Sequence, residues 1–168
     1  MFYGIQVFTG KEEMIKQHFL PLVLGDDDAA FIPAYDMKKK IRGEYKTVTK
    51  PLFPGYIIIR TEDAKELFFK LKALPEFTKL LRSEDYFLSV NDDEARVLLK
   101  LGGEEMHIET SVGVVAGDRV EIISGALLNY TGEITYINRH KRFARIKIRL
   151  FGEEREVKVG LEVIEKRL

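Results

Sequence analysis

The chain has 168 residues, 45% of them hydrophobic and 32% charged, which suits one or two small globular domains and excludes a disordered polyelectrolyte. It contains no cysteine, so a disulfide framework, a thiol nucleophile and a cysteine-ligated metal are excluded, and a reducing compartment is expected. Formal net charge is zero, but residues 113–168 carry eleven Lys/Arg against eight Asp/Glu, so the total hides a basic C-terminal third.

No basic leader followed by an apolar run opens the sequence, and no stretch reaches the roughly 18 to 20 apolar residues of a membrane span, so neither signal peptide nor membrane contact is expected. Residues 2–8 alternate as a strand with Tyr3, Ile5 and Val7 on one face. Thr9 stands three residues before Glu12, the spacing of a capping box, and opens a helix striped by Met14, Ile15, His18, Phe19 and Leu22. An extended stretch from Phe31 turns near Arg42-Gly43, returns as Tyr45–Val48 and passes through Pro51-Leu52-Phe53-Pro54-Gly55 into the apolar strand Tyr56–Ile59. A second helix spans about Asp63 to Leu74, followed by short strands at Thr78–Leu81 and Tyr86–Val90. Asn91 and Glu94 form another capping pair, and that helix stops at Gly102-Gly103.

Residues 1–102 therefore read as an α+β domain with an antiparallel sheet and helices, and residues 103–113, which lack periodicity, as a linker. Residues 114–168 change to period two, with turns at Gly125, Gly132, Asn138 and Gly152, as in a small SH3-like β-barrel.

Catalytic chemistry finds little footing. The three histidines lie in unrelated settings, no pair has metal-ligand spacing, no phosphate-binding glycine loop occurs, and the acidic pairs read as solvated loops. The expectation is a binding protein without catalytic residues, metal or cofactor. The densest feature is the acid-free run from Arg139 to Leu150. Alternation turns Ala144, Ile146, Ile148 and Leu150 inward and Phe143, Arg145, Lys147 and Arg149 outward, with successive cations roughly 7 Å apart. Together with Arg139, His140, Lys141 and Arg142 these form a candidate RNA-binding set, suited to phosphates and, through Arg139, His140 or Phe143, to an exposed base. The competing reading is a solvated face paired to Glu153, Glu154 and Glu156. A second cationic group, Lys38-Lys39-Lys40, Arg42, Lys46 and Lys50, surrounds the Gly43 turn. An aromatic group, Tyr3, Phe53, Pro54 and Tyr56, could line a groove for a partner helix or pack as core.

The opening Tyr3-Gly4-Ile5-Gln6-Val7-Phe8-Thr9-Gly10-Lys11-Glu12, the tract Pro51–Ile57, and Gly117-Asp118-Arg119-Val120 with Gly125, Leu128 and Gly132-Glu133-Ile134 together resemble the NusG family of transcription elongation factors. The last group is similar to the KOW motif. The resemblance implies an N-terminal domain docking on the clamp helices of RNA polymerase through Tyr3, Phe53, Pro54 and Tyr56; a monomer is expected, and the composition and the lack of a leader or span point to the cytoplasm. The resemblance also implies a contact with non-template DNA, although the tract that would make it reads Ala73-Leu74-Pro75-Glu76 rather than Asn-Thr-Pro-Gly. Where housekeeping members carry Gly-Pro-Phe, this chain has Gly125-Ala126-Leu127, a departure from the form that binds Rho or a ribosomal protein. Lys141-Arg142-Phe143-Ala144 and the ending Val159–Lys166 resemble the specialised LoaP branch, which implies an operon-dedicated antiterminator gripping a nascent RNA hairpin. The alternatives are a general factor whose KOW domain binds Rho or a ribosomal protein, and a ribosome-associated RNA-binding protein.

Overall fold

A computed structural model describes residues 1–80 and 87–165. In chain order the first half holds β1 (Phe2–Gln6), α1 (Glu12–His18), a 3-10 turn (Leu20–Leu22), β2 (Ala29–Phe31), β3 (Ala34–Ile41), β4 (Glu44–Pro51) and β5 (Tyr56–Arg60). There follow α2 (Ala64–Lys72), α3 (Pro75–Thr78), β6 (Phe87–Val90) and α4 (Asp92–Gly102). The remainder is all strand: β7 (His107–Ile108), β8 (Ser111–Ala116), β9 (Arg119–Ser124), β10 (Ile134–Asn138), β11 (Phe143–Leu150) and β12 (Glu153–Ile164). The chain is α+β, as its sequence pattern implies. Two compact units form, one from Met1–Ile32, Phe53–Arg96 and Leu150–Gly152, the other from Pro33–Leu52, Val97–Arg149 and Glu153–Leu168.

The first unit is built on an antiparallel sheet of order β2-β5-β1-β6. The register sets Ile5 opposite Ile57 and Tyr3 opposite Ile59. One face is thereby apolar, and Ile5, Val7, Ile57 and Ile59 bury it against Ile15, Leu20, Leu67, Leu71 and Phe77 from the helices. The α2 start is capped by Asp63, which accepts from the Glu66 amide at 3.0 Å. The Asn91–Glu94 box forms in both directions: the Asn91 amide donates to Glu94 at 3.0 Å and the Glu94 amide to Asn91 at 2.8 Å.

The box expected at Thr9 does not form. Lys11 is the N-cap of α1 without a side-chain bond, and the Glu12 carboxylate accepts instead from the amides of Gly10 and Gly55. Burial decides this, because the Gly55 amide has been carried inside by its turn and needs an acceptor there. Nor does a strand begin at Thr78. Pro75 stands in the first turn of α3, where its fixed φ and missing N–H favour a helix start. The expected strand's end at Leu81, and Tyr86, lie outside the described residues.

The second unit holds a curled five-stranded sheet, β10-β11-β12-β8-β9, and a smaller sheet, β4-β3-β7. The curled sheet is a half-barrel whose inner residues include Ala144, Ile146, Ile148, Leu150, Val157, Val159 and Leu161, all buried. The KOW-like strands thus alternate as expected, interrupted by register shifts, one of them where β9 passes from Ile122 to Ser124 opposite Gly113 and Val112. Ile134 and Ile137 are three residues apart, and a register shift between Ile134 and Tyr136 absorbs the extra residue. Within residues 103–113, expected to be a linker, β7 pairs in parallel with β3 and β8 begins. Met106 and Ile108 are buried there, an anchoring that two apolar residues spaced by one do not announce as a strand.

Candidate nucleic-acid interface

The basic run divides by position on β11. Asn138 turns the chain by accepting from the Lys141 amide at 2.8 Å, and Arg142 adopts a φ of 60°, which starts the strand. Arg139, His140 and Lys141 project from this turn, exposed and without an ion pair among the described residues.

The strand cations are differently placed. The Arg142 guanidinium donates to Glu162 at 2.8 Å and lies 3.6 Å from the ring centroid of Tyr45. Arg145 lies 3.9 Å from Glu156, and Lys147 lies 3.4 Å from Glu133. Arg149 is exposed. Carboxylates therefore face Arg142, Arg145 and Lys147, as the solvated-face reading anticipated through Glu156. The Arg145 and Lys147 pairs are solvent-exposed, where an ion pair is worth about 0–1 kcal/mol, so a polyanion can displace them. Arg142 is held from two sides.

Alternation expects Phe143 outside, yet only 5% of it is exposed. Tyr136 packs 5.9 Å from its ring, and the cations of Arg145 and Lys158 lie over it at 5.7 and 4.5 Å. An outward aromatic has been roofed by its neighbours, and the ring left exposed beside it is one the sequence reading missed. Tyr136 stands opposite Arg145, 46% exposed, with the guanidinium 5.4 Å from its ring. The signal for it was the bulge, which only the register reveals.

Burial pushes the phenols of Tyr35 and Tyr130 above the ordinary tyrosine range. Tyr130 donates to the backbone carbonyl of Lys147, pinning the loop before β10 to the basic strand. A phenol whose folded pKa is raised contributes stability in full below the unfolded value, about pH 10, and loses it as pH rises through the folded one. Tyr130→Phe should cost about 1 kcal/mol at neutral pH and flatten the alkaline limb of stability. Urea melts at neutral and strongly alkaline pH check this, and an unchanged slope between them would count against the assignment.

The aromatic group is dispersed by the sheet. Tyr3 points to the core-face side and stacks on Phe87 at 5.2 Å, whereas Tyr56, opposite Gln6 in the register, projects from the other face. There its ring lies 5.1 Å from Phe151, whose ring also occupies the space a side chain on Gly4 would need. Phe53 is 4% exposed and belongs to the interior, while Pro54 is exposed at the bend.

A half-barrel bearing a basic strand, joined in one chain to an α+β sheet, defines a two-part protein of the KOW class. The KOW motif model matches residues 116–149. The chain belongs to the NusG family: the family model described as transcription termination factor nusG matches residues 1–99. It is 28% identical to the transcription termination/antitermination protein NusG of Staphylococcus carnosus, over 98% of this chain and 94% of that protein. With the protein of the same description from Thermus thermophilus it shares 26% identity over 98% and 97%. The fold is similar to that in a solved structure described as domain interaction in Thermotoga maritima NusG, with a TM-score of 0.56, 24% identity, and coverage of 96% and 92%. No helix among the described residues is long and apolar enough to cross a membrane.

Proposed function

We propose that the chain is a specialised elongation and antitermination factor of the LoaP kind, which holds RNA polymerase with its N-terminal domain and a nascent RNA hairpin with its KOW domain. The observation that carries the RNA half is the exposed turn Arg139-His140-Lys141, cationic and unpaired among the described residues, beside the exposed ring of Tyr136. Phosphates meet the turn first, and Arg145, Lys147 and Arg149 extend the track along β11 as their surface pairs exchange partners. Arg142 serves mainly to hold the turn in place.

For the polymerase half, the family resemblance supports docking on the clamp helices near Pro54 and Tyr56, with Phe53 shaping the bend from inside and Tyr3 bracing the sheet. Contact with non-template DNA is a weaker part of the same reading, since the tract concerned opens the short helix α3. The spans of the two family models support a functional division at residues 1–102 and 114–168, with 103–113 between them. Two weak contacts joined in one chain raise each other's effective concentration, so a transient transcript structure can recruit the factor to its polymerase.

The test is fluorescence anisotropy of the full chain with a short RNA stem-loop as probe. Arg139→Gln with Lys141→Gln should weaken binding by roughly tenfold or more at physiological salt, consistent with two lost phosphate contacts. An affinity equal to the parent's would reject this surface. A second reading, in which the KOW domain binds Rho or a ribosomal protein, is favoured by Ile123 and Leu128, 47% and 49% exposed on either side of the Gly125 turn. Capture of such a protein from nuclease-treated lysate, lost on Ile123→Ser, would select it.

A further inference from the structure

The second cationic group of the sequence lies on the β3–β4 hairpin, about a hundred residues before the basic turn, and the second unit brings the two together. Tyr45 of β4 lies under the Arg142 guanidinium, whose centre is 3.6 Å from its ring. The same unit fastens the hairpin at its base. The Thr110 hydroxyl donates to the Asp36 carbonyl at 3.1 Å, and His107 Nε2 meets the Asp36 carboxylate at 2.7 Å. At Gly160 the backbone of Asp36 and Met37 fills the place of a side chain, so β12 runs directly against β3.

The hairpin register sorts its lysines by face. Lys40 stands opposite Tyr45 and Lys38 opposite Thr47, so both share the face of the ring that meets Arg142. Lys39 stands opposite Lys46, and that pair projects from the other face. None of Lys38, Lys39, Lys40, Arg42, Lys46 and Lys50 forms an ion pair among the described residues. Of the nearby acids, Asp36 is occupied by His107 and Thr49, and Glu44 stands opposite Ile41 at the tip. Unneutralised like charges on a rigid ribbon repel one another and are relieved by a polyanion.

Resting on the RNA-binding reading above, we infer that the RNA site is composite: Lys38 and Lys40 of the hairpin continue the Arg139–Lys141 turn, with Arg142 stacked on Tyr45 as the joint between them. The ligand is a folded RNA with unpaired bases. Exposed aromatic rings stand along the surface, Tyr45 at 44% at the joint and Tyr136 at 46% beside the turn, and a regular duplex offers no unstacked base to meet them. Neither half alone spans the surface, so a hairpin with a loop or bulge engages both, while a plain duplex engages only the charges.

The experiment compares the full-length parent with Lys38→Gln/Lys40→Gln, Lys39→Gln/Lys46→Gln and Arg139→Gln/Lys141→Gln. Binding to an RNA stem-loop and to a DNA duplex of the stem sequence is measured by anisotropy across a salt series, with circular dichroism melts as the folding control. The Lys38/Lys40 variant should lose roughly tenfold or more in RNA affinity and flatten the log–log salt slope by about 1.5, the share of two phosphate contacts. The Lys39/Lys46 variant removes equal charge from the other face and should change affinity by less than about threefold, with a slightly higher melting temperature as the cross-strand repulsion is relieved. If Lys38/Lys40 matches the parent while Arg139/Lys141 weakens, the composite site is wrong and the RNA reading stands. Equal losses from both hairpin faces would also overturn it, leaving only diffuse attraction. A parent that ignores the stem-loop, or prefers the DNA duplex, overturns the RNA reading itself.

Discussion

Replacing Glu12 by alanine is expected to destabilise the chain by about 2–4 kcal/mol, out of proportion to a single helix-start residue. The side chain is only 5% exposed. One carboxylate oxygen accepts from the Gly55 amide at 2.6 Å and from Gly10 at 3.2 Å, and the other accepts from Gly10 at 3.0 Å. Alanine leaves the buried Gly55 amide without that acceptor and opens a void beneath the Pro54–Gly55 bend. Gly55 has a φ of 88°, so the bend does not tolerate an ordinary side chain, and its shape depends on this bond. Glu12→Gln keeps one acceptor oxygen and should recover about half the loss. Urea denaturation gives the difference, and hydrogen exchange at the Gly55 amide localises it. A cost below about 1 kcal/mol for alanine would mean that the bend holds itself.

The second large effect is expected at Gly160, where alanine should lower the melting temperature by roughly 5–10 °C, a loss of about 2–3 kcal/mol. Glycine to alanine commonly stabilises a chain where space and backbone allow, by restricting the unfolded state. The glycine's φ lies outside the left-handed region here, so backbone conformation is not the obstacle. The obstacle is contact: the new methyl would meet the Asp36 carbonyl, the Met37 Cα at 3.0 Å and the Thr110 hydroxyl at 2.9 Å. Backbone atoms of a paired strand cannot turn aside as a side-chain tip can. The β3–β4 hairpin should therefore separate from β12, and amide exchange in β3 should rise with the fall in stability. An unchanged or higher melting temperature would show that the two strands do not approach so closely in solution.

Much of the architecture was legible in the amino-acid order because its causes are local. Alternation at Tyr3–Val7 and Ala144–Leu150, the Asn91–Glu94 box and the stop at Gly102-Gly103 each depend on neighbours a few residues apart, and each appears as the pattern implies. The α+β first half, the period-two second half and the location of the basic run follow from the same short-range rules. Thr9 and Glu12 also met the local rule, yet a buried amide more than forty residues away in sequence drew the carboxylate elsewhere.

What alternation could not decide was which outward groups remain available. Phe143 points outward and is buried, Arg142 is cationic and held by Glu162 and Tyr45, and Tyr3 and Tyr56 leave opposite faces of one sheet. Each outcome depends on a partner from a distant segment, brought close by folding and not encoded in any window around the residue itself. Residue order thus determined the elements and where charge is concentrated. Tertiary packing alone decided which charges are neutralised, which rings are covered, and that Tyr45 of the hairpin meets Arg142, because desolvation and pairing depend on what surrounds a group in space.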